Sequence, residues 1–513
     1  MDWTAGYASD VEYTAGFYRE QSPTYLNFAC VLNGYEPVAL NKPYTYFELG
    51  FGRGLTANIL AASNPNGQFF AADFNPSHVA GARQLADSAQ LNNLTLLENN
   101  FEDLAQGKVD LPSFDFITLH GIYTWVTAEN QQHIVNFIAR YLKPGGIVYL
   151  SYNAMPGWAM TLPLQRLLTE HADLHPNRSD EQINQAAKFI EKLEELQAGY
   201  FTVNPGLKAR MEMLKNGSRN YLVHEYMHKH WKPVYHADVA RDLAGAKLDY
   251  IGSADLPFAY QALFLNAERL ALLSSVTDRT MRETMIDYFM NTSFRKDVFM
   301  RGARRINAVR QSELLAQTGL ALMLPRADVN LAMKLSIGEV NGRAEVYGPV
   351  LDAIAKQPHT MNELGAAPGL VGQTYGNLTQ IAAMLVASGQ AGVFTSVNSA
   401  ASPDAAKRLN RALAAQVRYG DEYQALCSPL LGSGVNVGFL ERLFYLVVSQ
   451  QPKVNDAQIL AKEAWKVMAV QGRRMMKDGK SLDGEEDNIV ELSNQFTVLL
   501  QNKLPLWKHL RMI

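Results

Sequence analysis

Between residues 41 and about 153, short apolar runs alternate with longer amphipathic stretches. The runs 45–49, 68–72, 94–98, 114–119 and 147–151 have the length of strands. The stretch 127–141 places Ile134, Phe137, Ile138 and Tyr141 at helical spacing, and Lys143-Pro144-Gly145-Gly146 stops it. This alternation predicts an α/β, Rossmann-like parallel sheet with helices on both faces. On such sheets a ligand sits beyond the carboxyl ends of the strands, where the strand order reverses.

Around this core the pattern changes several times. Residues 1–40 form an aromatic-rich helical lead-in or cap (Trp3, Tyr7, Tyr13, Phe17, Tyr18, Tyr25, Phe28, Tyr35), which either covers a cofactor mouth or packs as core. Residues 159–217 read as a helical insertion, with Ile183, Ala187, Ile190, Leu193 and Leu196 at three- and four-residue steps. Sheet-like logic returns over 218–260, with a helix at 237–246 and a strand at 248–252, so the sheet domain spans 41–260. A helical middle region follows over 261–345 and carries Arg295, Lys296, Arg301, Arg304, Arg305 and Arg310, either a basic docking surface or a solvated helix face. Residues 346–400 resemble a winged-helix unit, with helices at 350–356, 361–366 and 375–388 and a strand near 392–395. The remainder, 401–513, is helical with an acidic break at Asp483-Gly484-Glu485-Glu486-Asp487.

Composition narrows the function. A chain of 513 residues with 47% hydrophobic and 19% charged residues is an ordinary multidomain globular protein. A net charge of −3 argues against a nucleic-acid partner, and the winged-helix-like unit has no cluster of basic residues to neutralise phosphates. The two cysteines, Cys30 and Cys427, lack metal-type spacing and fit a reducing cytoplasm. Met1-Asp2-Trp3-Thr4 has no signal-peptide character, and no run of eighteen apolar residues predicts a stable membrane insertion. Any secreted or membrane target is then met before export.

The chemistry begins at Glu48-Leu49-Gly50-Phe51-Gly52-Arg53-Gly54, a glycine turn between the first strand and a helix start. Glycines let backbone approach a ligand, and a helix N-terminus offers free N–H groups. A dinucleotide fingerprint starting at Gly50 needs a small residue at 55, where Leu55 stands, and Glu48 beside the turn is unhelpful to a pyrophosphate. S-adenosylmethionine, a zwitterion with a sulfonium, tolerates that carboxylate. Nineteen residues past Gly54, Asp73 closes an apolar strand and is placed to accept ribose hydroxyls. Phe74 follows and can lie against adenine, and Asn75-Pro76 supplies an N-cap and a first-turn proline. The plainer alternative for the glycines is an ordinary tight turn.

With Leu94-Thr95-Leu96-Leu97-Glu98-Asn99-Asn100-Phe101, these segments resemble the first three motifs of class I S-adenosylmethionine-dependent methyltransferases. A narrower likeness lies in Ser22-Pro23-Thr24-Tyr25-Leu26-Asn27-Phe28, Asp73-Phe74-Asn75-Pro76, His120-Gly121-Ile122-Tyr123-Thr124-Trp125-Val126, Ser151-Tyr152-Asn153-Ala154-Met155-Pro156-Gly157-Trp158 and His224-Glu225-Tyr226. These are similar to bacterial methyltransferases carrying a methyltransferase regulatory domain, among them rickettsial protein-lysine methyltransferases that act on an outer-membrane autotransporter. The resemblance covers about residues 10–300 and then thins. It implies a cofactor site of Glu48, Gly50, Gly52, Gly54, Asp73, Phe74, Asn100, Phe101 and His120, with Asn100 standing where the family usually has an aspartate. It further implies catalytic roles for Tyr152, Asn153, His120 and Tyr123, and substrate contacts from Trp125, Trp158, Tyr25 and His224. Trp125 and Trp158 have loop anchoring as their alternative role.

Two motifs are false leads. His224-Glu225-Tyr226-Met227-His228 matches a zinc signature, but Pro233 crowds the helix it needs and no third histidine has the right spacing, so no metal is expected. Gly479-Lys480-Ser481 mimics a phosphate loop, yet Arg474 occupies the place of the leading glycine. Methyl transfer from a sulfonium needs alignment, water exclusion and a deprotonated nucleophile rather than a metal. The expectation is a cytoplasmic methyltransferase that modifies lysine side chains of a protein. The rivals are a small-molecule or saccharide O/N-methyltransferase, with His120 as base for a hydroxyl, and a cofactor-binding scaffold without transfer. A homodimer stays open.

Overall fold

The computed structural model describes residues 15–513, apart from the side chain of Asn220. Trp3, Tyr7 and Tyr13 of the aromatic lead-in lie outside the described residues. The chain enters through α1 (Pro23–Leu32) and then runs β1 (Tyr44–Leu49), α2 (Leu55–Ser63), β2 (Gly67–Asp73), α3 (Pro76–Ser88), β3 (Leu94–Glu98), α4 (Phe101–Gln106), β4 (Phe114–Leu119), α5 (Ala128–Tyr141) and β5 (Leu142–Asn153). Two later strands, β6 (Leu248–Ser253) and β7 (Phe294–Arg301), complete a seven-stranded sheet of order β3-β2-β1-β4-β5-β7-β6. Strands β1 to β5 are parallel, and β7 is antiparallel to both of its neighbours. The order reverses between β1 and β4, which opens the crevice where a ligand belongs.

Alternation along the strands decides the two faces. Tyr46, Phe116, Ile147 and Tyr149 join a core shared with α1, α2 and the C-terminal half, whereas Phe47, Ile117, Val148 and Leu150 pack with α5 and the helix His236–Ala244. The C-terminal half therefore forms one continuous core with the sheet. Ser63 Oγ donates to the Ser433 carbonyl at 3.1 Å, Asn64 Nδ2 to the Gly432 carbonyl at 2.8 Å, and Arg408 Nε to the Ala89 carbonyl at 2.8 Å.

The α/β expectation holds, and several local expectations change. Strand β5 starts at Leu142, directly after α5, because Leu142 pairs with Phe114; the Lys143-Pro144-Gly145-Gly146 segment lies inside it. The sheet does not end at residue 260. Arg295, Lys296 and Arg301 of the basic run stand on β7, with Arg295 buried, rather than on a helix face; Arg304 and Arg305 are exposed after that strand, and Arg310 is exposed on the helix Ala308–Gln317. The insertion has its own core around Trp158, Leu164, Leu168, Ile183, Ile190, Leu214 and Tyr226.

In the winged-helix-like region the helices Ala344–Lys356, Met361–Gly365 and Tyr375–Ala387 are present, the first extending through Pro349. The wing is not. The strand Ala391–Phe394 pairs with the upstream strand Gly319–Leu322, and the chain then turns into the helix Ser396–Ala400. The acidic break is the first turn of the helix Glu485–Val498, where carboxylates favour the free N–H groups. Gly479-Lys480-Ser481 lies at the turn between Met476–Lys477 and Lys480–Ser481, with positive φ at Asp478 and Gly479, a hairpin turn rather than a phosphate loop. No helix among the described residues is long and apolar enough to cross a membrane.

Candidate active site

The site starts where β1 ends. Gly50, Gly52 and Gly54 have φ of +69°, +57° and +73°, a left-handed backbone that other residues adopt only with strain. At Gly50 a Cβ would come within 2.5 Å of the Ile122 side chain, so the turn and the segment after β4 touch through a glycine. The Gly52 N–H donates to Asp73 Oδ2 at 2.8 Å, and Asp73 Oδ1 accepts from the Asn75 N–H at 2.9 Å. Asp73 thus ties the glycine turn to the end of β2. Asn75 caps α3 ahead of Pro76, and Asn100 caps α4 by accepting the Asp103 N–H at 2.8 Å. These caps put two helix N-termini beside the ends of β2 and β3.

Over the ends of β1 to β4 lies a cavity of about 680 Å³, a size suited to a cofactor together with part of a second reactant. Glu48, Gly50, Gly52, Asp73, Phe74, Asn100, Phe101, His120, Trp125 and His224 all line it. Ile122, Tyr221 and His228, to which the sequence assigns no site role, line it as well, together with Tyr18 of the lead-in expected to cover the cofactor mouth or pack as core, and Glu225, which the family resemblance puts beside His224 near the substrate side, either shaping the pocket or bonding to backbone. Tyr18 belonged to the aromatic lead-in, and its ring stacks on His120 with centroids 3.7 Å apart. Glu225 and His228 had a visible signal in the false zinc motif. The helix Arg219–Tyr226 stops before His228, and among the described residues no group of three or more His, Cys, Asp or Glu side chains is arranged to hold a metal ion.

Five predicted site residues and one glycine stand elsewhere. Tyr152 is fully buried and donates to Asp297 Oδ2 at 2.6 Å, inside a network with His236 and Arg295. Asn153 Oδ1 accepts from Thr124 Oγ1 at 3.3 Å, and the Tyr123 hydroxyl donates to Asp242 Oδ2 at 2.7 Å. Trp158 Nε1 donates to the Ser293 carbonyl at 2.8 Å, and the indole packs into the insertion core. The Tyr25 hydroxyl donates to the Ala254 carbonyl at 2.8 Å. None of these five lines the cavity, and the three tyrosine hydroxyls, the Trp158 N–H and Asn153 Oδ1 each have a partner within the protein. Gly54 is also outside the wall: a Cβ there would meet Ala82 Cβ at 2.5 Å, so it allows α2 and α3 to approach.

Burial governs the electrostatics. It pushes the Glu48 carboxyl up to about 8, helped by the nearby Asp73 and opposed by a hydrogen bond from Gln21 Nε2 at 3.2 Å. It pushes His120 down to about 3, so the ring is neutral, with Nδ1 2.8 Å from the Tyr149 hydroxyl. For Glu20, burial acts upward but is outweighed by the Lys296 ammonium, 2.6 Å away, and by Arg19, which hold it at about 2.

These residues fit S-adenosylmethionine. Glu48 Oε2 is buried without a hydrogen-bond partner in the protein, an arrangement costly unless a ligand donor meets it. An ammonium at that oxygen would satisfy the donor need and favour the ionised carboxylate. Asp73, Phe74, Asn100 and Phe101 would hold the nucleoside, and the cofactor supplies a methyl group on a positively charged sulfur.

Comparison with known proteins agrees. A methyltransferase domain family matches residues 40–231, and the family described as "Predicted methyltransferase regulatory domain" matches residues 218–301. The protein sll1526 of Synechocystis sp. is 38% identical over 509 residues, 99% of each chain. RP028 of Rickettsia prowazekii is 26% identical over 222 residues, 42% of this chain and 86% of its own. The structure of PKMT2 from Rickettsia typhi in complex with AdoHcy shares the fold, with a TM-score of 0.71 at 18% identity over 96% of this chain and 99% of that one. The chain belongs to the class I S-adenosylmethionine-dependent methyltransferases that carry a methyltransferase regulatory domain.

Proposed function

We propose that this enzyme N-methylates lysine side chains of a protein substrate. The observation that carries the reading is the likeness to PKMT2 along nearly the whole chain, well beyond the methyltransferase sheet, together with the motifs shared with rickettsial protein-lysine methyltransferases. The acceptor side of the cavity is compatible with an entering ammonium. His120 and His228 are both held neutral by burial, at about 3 and about 4, so neither opposes a positive charge, and the wall includes the aromatic side chain of Trp125, a residue type suited to a cation. Both cysteines are free and buried, which supports a reducing cytoplasm as the setting.

Incubation with methyl-labelled donor, a cell lysate and a separate metabolite extract tests the reading. Label in protein hydrolysates as methyl-lysine is the expected result. Label confined to small molecules rejects it and favours a hydroxyl or amine metabolite as the acceptor.

A further inference from the structure

The wall of the cavity formed by the helix Arg219–Tyr226 carries a carboxylate that is not among the residues assigned above to the methyl donor. Glu225 lines the cavity with its side chain 14% exposed. Its nearest cation is Arg210, with Nη1 3.9 Å from Oε1, too long for a hydrogen bond. Arg210 is engaged elsewhere, its guanidinium 4.1 Å from the centroid of the Trp158 ring. The Tyr221 hydroxyl hydrogen-bonds to the carboxylate, and His224 and His228 share the same wall. A largely buried carboxylate facing a ligand cavity, loosely paired and flanked by rings, is suited to a cation arriving from outside.

We propose that Glu225 anchors the acceptor amine of the substrate and takes its proton. The inference rests on the amine-methyltransferase reading above and adds the residue that selects a cationic acceptor. An entering ammonium gives one proton to a Glu225 oxygen, breaking an N–H bond and forming an O–H bond. The freed lone pair on nitrogen bonds to the methyl carbon as the carbon–sulfur bond breaks, and that electron pair stays on sulfur. The proton then leaves Glu225 for water. Burial works on both partners in one direction, lowering the proton affinity of the amine and raising that of the carboxylate. It pushes Glu225 up to about 7, with Arg210 and Tyr221 opposing.

The test uses the full chain loaded with S-adenosylhomocysteine. Binding of Nα-acetyl-lysine methylamide is compared with its uncharged analogue, Nα-acetyl-norleucine methylamide, by calorimetry. The parent should prefer the lysine compound by about tenfold, as expected of one charge-assisted hydrogen bond in a partly buried site. Glu225→Gln should abolish that preference while S-adenosylhomocysteine still binds, which reports a folded protein; Glu225→Asp should restore part of it. With a labelled protein substrate, the parent's kcat/KM should rise with pH through an apparent value near 7, and Glu225→Gln should lose that limb. A preference absent in the parent or unchanged in Glu225→Gln overturns the role of Glu225. If methyl-lysine still forms in lysate proteins, only this inference falls; if no lysine is labelled, the proposed function falls with it.

Discussion

Arg53, in the glycine turn of the cofactor site, reaches out of the sheet domain to Glu422 in the C-terminal half, with Nη2 2.6 Å from Oε2. Its guanidinium also lies 5.6 Å from the ring centroid of Tyr423. The glycine turn in the cavity wall is therefore braced from a segment well over three hundred residues away in sequence, on the same side where α2 packs against the C-terminal core.

If that brace positions the turn, Arg53→Ala should weaken S-adenosylmethionine binding. The pair is partly exposed, so its contribution is discounted, and the expected loss is about twofold to fivefold. Glu422→Gln should give a smaller loss that disappears at high salt. Titration calorimetry at two ionic strengths measures both; equal affinities in parent and Arg53→Ala would remove the brace from cofactor binding.

A cofactor ammonium at Glu48 would link binding to protons. Its carboxyl is pushed up to about 8, so the ligand-free protein holds a proton there at neutral pH that the unfolded chain would not. Because the folded value is raised, this group lowers stability as pH rises from the ordinary carboxylate range toward 8. A cofactor ammonium at Oε2 would reverse the preference and expel the proton. Calorimetry in buffers of different ionisation enthalpy should show proton release on binding near pH 7, absent in Glu48→Gln. Binding without proton exchange in the parent would place the ammonium elsewhere.

Gly54 is a packing residue. A methyl group there would adopt a left-handed backbone and press on Ala82 of α3. Gly54→Ala should cost about 2–4 kcal/mol of stability through these two effects together, visible as a lowered melting temperature. An unchanged melting temperature would show that α2 and α3 can separate without cost.

The buried network around Arg295 should matter for folding rather than for transfer. Arg295 binds Asp297, Asp287 and Glu283 at 3.0, 2.7 and 2.9 Å. Arg295→Met would leave buried carboxylates unpaired and should cost about 3–5 kcal/mol in denaturant unfolding. Tyr152→Phe, losing one hydrogen bond to a charged group, should cost roughly 1.5–3 kcal/mol and leave the rate of methyl transfer within about twofold of the parent. A far larger loss of rate at unchanged stability would return Tyr152 to the active site.

Acid sensitivity follows from the same groups. For Asp297, burial acts upward but Arg295 and His236 outweigh it and hold the carboxyl at about 2, as Lys296 and Arg19 do for Glu20. Folded values below the unfolded ones mean stability that is present above about pH 4 and lost as pH falls toward 2. Unfolding midpoints measured between pH 5 and 2 should decline steadily, and less so in Asp297→Asn, which starts from a lower plateau.

The sequence by itself determined the strand-turn-helix at Glu48–Gly54, the acidic end of β2 at Asp73, the alternation that builds a parallel sheet, and through them the methyl donor. These are local facts: glycine spacing, hydrophobic period and cap residues act within a few positions of one another, so they survive in one dimension. Only the tertiary structure decided which side chains face the reactants. Tyr152, Trp158 and Tyr25 sit in motifs that resemble the family's, yet their polar atoms have partners on β7, on the segment preceding it and after β6, which no local pattern reveals. Glu225 reaches the cavity because the insertion folds back on its own core, and Glu422 reaches the glycine turn because the C-terminal half shares a core with α2. Long-range packing chose the side chains of the cavity wall, because burial and partner satisfaction are properties of the assembled chain.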